Sequence, residues 1–103
     1  MINLVVVVGG PATIYAYSDR YPGTVISVTD NEIIVTEDNY KRIDNRGMSE
    51  SQEYEYESNS DGRKFIFRKV RSGKLKGQWR ENGLSTGMPV NFNYRQKYYD
   101  FSF

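Results

Sequence analysis

The chain contains no cysteine and no histidine. Without cysteine there is no disulfide, no thiolate metal site and no cysteine nucleophile. The fold then needs no oxidising compartment, and the cytosol is the default setting. Without histidine, the side chain that most often moves protons near neutral pH is missing, along with the commonest transition-metal ligand. A Ser-His-Asp triad and a His-ligated zinc are both excluded. Long apolar runs are also missing. The opening run from Ile2 to Val8 is far shorter than a membrane span. It has no basic flank and no signal-peptide layout, so it reads as a strand. No glycine-rich phosphate loop of the Walker or Rossmann form occurs, and no stretch carries a helical period of useful length. Acids at Asp30, Glu32, Glu37 and Asp38 do not follow the EF-hand spacing. These absences lead us to expect no cofactor, no metal, no membrane partner and no catalysis.

What is present suits one small domain over residues 1–103. Apolar residues make up only 38%, but nine tyrosines and five phenylalanines compensate. Tyrosine buries a large ring while keeping a polar tip, which suits half-buried strands and binding faces. Net charge is +1, yet the charges are segregated: residues 37–61 carry eight acids and three bases, and residues 62–99 carry ten bases and one acid. Either the two stretches neutralise each other, or part of the positive charge faces an anionic partner.

Short strands punctuated by turn residues dictate an all-β fold. Ile2 to Val8 is β-branched and continuous; Gly9-Gly10-Pro11 ends it, and Ala12 to Tyr17 follows as a second strand. Residues 18–23 read as a loop because Pro22 and Gly23 both break strands. Thr24 to Val28 and Ile33 to Thr36 form a hairpin about Asp30-Asn31, two residues that tolerate positive φ. Its register sets Val28 against Ile33 and Ile26 against Val35. Glu53 to Glu57 and Lys64 to Val70 read as a second hairpin. There Tyr56 faces Phe65, Tyr54 faces Phe67 and Glu53 faces Arg68, giving one aromatic and one charged face. Gln78 to Arg80 returns from a basic turn, Met88 to Tyr94 alternates as a half-buried strand, and the aromatic tail 98–103 should dock on the body. At this length, a small, partly open barrel of about five to seven antiparallel strands fits best.

Tyr21-Pro22-Gly23-Thr24-Val25-Ile26-Ser27-Val28, running into a hairpin, resembles the opening of an SH3-like barrel of the KOW type. A wider pattern joins Ser18-Asp19-Arg20-Tyr21-Pro22 to Arg42-x-Asp44-x-x-Gly47-Met48-Ser49-Glu50-Ser51-Gln52-x-Tyr54-x-Tyr56. It continues through Gly77-x-Trp79 and Arg95-x-Lys97-Tyr98-x-Asp100-x-Phe103. This pattern resembles a family of small phage-encoded proteins. The resemblance implies viral origin and action in the cytoplasm of an infected bacterial host, and it brings no catalytic residue with it.

The densest polar stretch, 42–52, is longer than a turn requires. Arg42, Asp44, Ser49 and Gln52 offer a guanidinium, a carboxylate, a hydroxyl and an amide that suit a phosphate or a base edge. The competing reading is a loop whose side chains satisfy their own backbone. Arg20 beside Tyr21, and Arg95 and Lys97 beside Tyr98, combine cations with rings that could stack on a base. Lys69, Arg71, Lys74, Lys76 and Arg80 crowd one hairpin near Trp79 in the manner of a nucleic-acid footprint, though basic turns are often merely solvated. The expected activity is non-catalytic binding of an anionic ligand: a nucleotide, a nucleotide-derived immune signal or nucleic acid, with countering host defence as the expected purpose. The alternative is an inhibitor or adaptor that grips a host or phage protein through exposed Tyr, Trp and Arg. An uncharged N-terminal strand is a sticky edge that could pair two copies into a homo-oligomer.

Overall fold

A computed structural model of the chain describes residues 6–16, 19–44, 52–94 and 97. Among these the fold is all-β. The strands are β1 (Pro11–Ala16), β2 (Asp19–Val28), β3 (Ile33–Glu37), β4 (Asn39–Arg42), β5 (Tyr54–Glu57), β6 (Lys64–Lys69), β7 (Trp79–Glu81) and β8 (Val90–Phe92). Six of them form one antiparallel sheet in the order β7-β6-β3-β2-β1-β8, and β4 and β5 form a separate ribbon. A single antiparallel bridge, Arg80 to Pro89, joins the two ends of the large sheet. A second link, from the Glu81 N–H to the Met88 carbonyl at 3.1 Å, reinforces it. The result is a nearly closed barrel, as the spacing of short strands predicts.

The interior follows from alternation along each strand. Ala12 and Ile14, Val25, Ile33 and Val35, Phe65 and Phe67, and Phe92 point inward and form the core. Ile33 faces Phe67 and Val35 faces Phe65 across the β3–β6 pair. Phe92 meets Phe67 and Trp79 edge-on at 6.1 and 6.3 Å.

The expected loop at 18–23 is instead the first half of β2. This strand pairs with β1 from Asp19 to Thr24, and with β3 from Gly23 onward. Pro22 is tolerated because its carbonyl faces away from β1, accepting the Asp38 N–H at 2.9 Å. Its missing N–H therefore lies on the side where β3 pairing has already ended. Gly23 is required by close approach: a Cβ there would lie 2.4 Å from Val35 Cγ1.

The first predicted hairpin forms, with Val28 against Ile33. A bulge at Ile26 then places Val25, not Ile26, opposite Val35, and leaves Ile26 exposed. Asp30 and Asn31 stay at negative φ. The turn is held by Thr29, whose hydroxyl accepts the Asn31 and Glu32 N–H groups and whose own N–H bonds to the Glu32 carbonyl.

The second predicted hairpin does not form. β5 pairs with β4, setting Tyr40 against Tyr56 and Arg42 against Tyr54, while β6 pairs with β3 and β7. The tyrosine hydroxyls explain the preference. Opposite Phe65 and Phe67 they would be driven toward an apolar core; on the ribbon the Tyr54 hydroxyl donates to Gln52 Oε1 at 2.7 Å, and the Tyr56 hydroxyl accepts the Lys97 N–H at 2.8 Å.

Of the expected N-terminal strand, Val6 packs against the core outside any strand, and Val7 and Val8 are exposed ahead of the Gly9-Gly10 turn. Ile2 to Val5 and the aromatic tail 98–103 lie outside the described residues.

Candidate functional site

Two surfaces carry the chemistry. The first is a tyrosine cluster where the β4–β5 ribbon meets β2. Tyr21 points inward from β2 and packs at the core's edge. Tyr40 meets Tyr54 edge-on at 5.8 Å, and Tyr54 stacks along β5 with Tyr56 at 6.4 Å. After β8 the chain runs beside β1: the Asn93 N–H reaches the Pro11 carbonyl, and the buried Thr13 hydroxyl donates to the Tyr94 carbonyl at 2.7 Å. Lys97 then inserts into the cluster. Its Nζ lies 4.5 Å from the Tyr21 ring centroid and 5.0 Å from that of Tyr40, and the residue is only 6% exposed. Burial lowers the Lys97 pKa from 10.5, and the negative charges of Asp19 and Glu37 oppose that shift. Burial, Glu37, Tyr21 and Asp19 together raise the Tyr40 pKa above 10.0.

At the far end of the ribbon, Arg42 Nε donates to Asp44 Oδ2 at 2.9 Å, and the same oxygen accepts the Glu53 N–H at 2.7 Å. The Asp44 side chain is 3% exposed. This contact fastens the two ends of the 42–52 connector and holds Arg42 in its charged form.

The structure thus brings Tyr21, Arg42, Asp44, Gln52 and Lys97 into one neighbourhood through the ribbon. Arg20 does not join them on the same face. It follows from strand alternation that Arg20 and Tyr21 face opposite sides of β2, and the Arg20 guanidinium sits 5.6 Å over the Tyr15 ring. Ser49, Arg95 and Tyr98 lie outside the described residues. Tyr40, Asp19 and Glu37 were missed as site residues. The sequence signal for Tyr40 is the second aromatic strand, which pairs with it only because β5 leaves β6.

The second surface is the β6–β7 hairpin. Two open clefts, of about 340 and about 540 Å³, share Arg68, Lys69, Val70 and Arg71 as lining. Ser72 and the Asn82–Ser85 turn complete one; Asn31, Lys76 and Gly77 complete the other. No carboxylate lines either cleft among the described residues. A third depression of about 270 Å³, on the β4–β5 ribbon, mixes Lys41 with Glu55 and Glu57. Lys69, Arg71, Lys74 and Lys76 are exposed. Arg80 differs from them: it is half-buried, with Nη1 donating to the Gly87 carbonyl at 3.2 Å, and so fastens the 82–87 loop. Trp79 packs on Phe92 beneath the Lys69 ammonium, 5.5 Å from its ring, and belongs to the core.

Among the described residues there is no group of three or more Asp and Glu side chains placed to hold a metal ion, and no helix long and apolar enough to cross a membrane. No family model, no curated protein and no solved structure matches this chain.

Proposed function

We propose that the protein is a non-catalytic binding module for an anionic polymer, the phosphate backbone of nucleic acid being the chemical class that fits best. The observation that carries this reading is the pair of adjoining clefts on the β6–β7 hairpin, which share the exposed cations Lys69 and Arg71 and hold no carboxylate in their lining among the described residues; Arg68, also shared, is paired with Glu32. Exposed Lys74 and Lys76 extend the same positive surface along the hairpin turn. Such a surface grips a backbone and reads no bases. Trp79 is committed to Phe92, so base stacking there adds little. The tyrosine cluster is a weaker anion site, because Arg42 is engaged by Asp44, and Asp19 and Glu37 act on Lys97. The resemblance to phage-encoded proteins supports a setting in an infected bacterium, where sequestering or coating an anionic partner needs no turnover.

Anisotropy of a labelled oligonucleotide of arbitrary sequence, measured across a salt series, tests the reading. Binding should weaken with log-log slopes of about −0.7 to −0.9 per phosphate contacted. Lys69→Glu with Lys76→Glu should abolish it, while Arg42→Ala should leave it unchanged. Tight binding of a single nucleotide lost in Arg42→Ala would move the site to the connector. A co-purifying protein with no oligonucleotide binding would establish the adaptor alternative.

A further inference from the structure

We propose that Tyr21 and Tyr40, with Asp19 and Glu37 beside them, form a binding site for an alkylammonium head group, and that Lys97 occupies this site from within the same chain. Both ring centroids lie within 5.0 Å of the Lys97 Nζ, inside the range over which a ring quadrupole attracts a cation. The rings belong to different strands, β2 and β4, so two walls converge on one charge. Asp19 and Glu37 add a negative field at the same point. The chemistry of the pocket is therefore that of an aromatic cage: a soft apolar lining with negative potential, suited to a cation that sheds water readily.

A structural anchor alone would not call for this arrangement. Holding a chain segment on two tyrosine rings is done as well by Met or Leu, which carry no charge to desolvate. Burying an ammonium here is matched by features that stabilise ammonium specifically. Tyr40 is 42% exposed, so one wall of the cage reaches the surface of the protein. The Lys97 backbone is held separately, by its N–H to the Tyr56 hydroxyl. The side chain can therefore be exchanged without releasing that hydrogen bond. The site is distinct from the basic hairpin and takes the opposite charge, so its test is independent of nucleic-acid binding.

The experiment compares wild-type protein with Lys97→Ala, which removes both the ammonium and the chain that carries it into the cage. Choline, n-butylammonium and the neutral isostere 3,3-dimethylbutan-1-ol are titrated while Tyr21 and Tyr40 ring resonances are followed by NMR. Lys97→Ala should bind choline about tenfold or more tightly than wild type, because the internal competitor is gone. Adding Tyr40→Leu should reverse the gain, and the isostere should bind in neither protein. Preference between choline and n-butylammonium separates a quaternary head group from a lysine-like amine. A folded Lys97→Ala protein that binds choline no better than wild type, or binds the isostere equally well, overturns the proposal. Should that variant fail to fold, wild-type protein is titrated with choline in buffers of rising pH, as Lys97 loses its proton. Saturable ring shifts with choline and none with the isostere then sustain the site, and a flat response overturns it.

Discussion

Arg68 donates through Nε and Nη2 to the same Glu32 oxygen, at 3.1 and 2.6 Å, tying β6 to the turn that precedes β3. The pair is partly exposed, so its worth to stability is under about 1 kcal/mol. Its larger effect is on the clefts, where Glu32 offsets one of the shared cations. Glu32→Gln should leave the melting temperature nearly unchanged and tighten oligonucleotide binding at low salt, with a steeper salt dependence. Anisotropy at two ionic strengths checks both.

Gly23 sits where β2 hands over from β1 to β3. Gly23→Ala places a methyl within 2.4 Å of Val35 Cγ1 and 3.0 Å of the Thr36 carbonyl, both in the packed wall. We expect a loss of about 1–3 kcal/mol in urea unfolding, with binding at the distant β6–β7 hairpin retained. Phe67→Ala, at a fully buried ring between Phe65 and Phe92, should cost about 3–5 kcal/mol.

Asp44→Ala removes the acceptor shared by Arg42 and the Glu53 N–H. The ribbon has its own two-strand ladder apart from the barrel sheet. Hydrogen exchange should therefore show local opening: amides of β4 and β5 exchange about five- to tenfold faster, while those of β3 and β6 keep their protection.

Alkaline stability should reflect Lys97 and its neighbours. The Lys97 pKa is lowered in the fold by burial, so folding disfavours its charged form, and that penalty fades as pH rises through the folded pKa toward 10.5. Tyr40 and Tyr54 have pKa values raised above 10.0, chiefly by burial. Their contribution is intact below 10.0 and is lost as pH climbs through the folded values. Urea unfolding across alkaline buffers should show stability rising and then falling, and Lys97→Met should remove the rise but keep the fall.

How much of this was legible depended on whether the decisive interaction was local. Thr24 to Val28 and Ile33 to Thr36 are joined by a short turn, and their apolar register about Asp30-Asn31 identified them as a hairpin, although neither turn residue adopts positive φ. The bulge at Ile26 has no composition signal. Pro22 and Gly23 read as breakers because their tolerance depends on partners far along the chain: Asp38 for the Pro22 carbonyl, Val35 for the approach to Gly23. The choice of β4 over β6 as partner for β5 turned on hydroxyl satisfaction, which a pattern of aromatic alternation does not encode. Tyr21 was singled out beside Arg20, and Lys97 beside Tyr98, each as a cation-and-ring combination. That the lysine would fill the cage, with Tyr40 as the other wall, depended on a pairing that adjacency in sequence does not reveal.

The bridge between Arg80 and Pro89 also orders events in time. β1, β2 and β3 pair through neighbouring hairpins and can form early, but β1 finds its other partner only in Val90 to Phe92. During synthesis the outer edge of β1 must therefore wait until Val90 to Phe92 have emerged before it is covered. Ring closure should be the last step, so mutations within the early β2–β3 hairpin should slow folding, while equally destabilising ones at β8 should mainly speed unfolding.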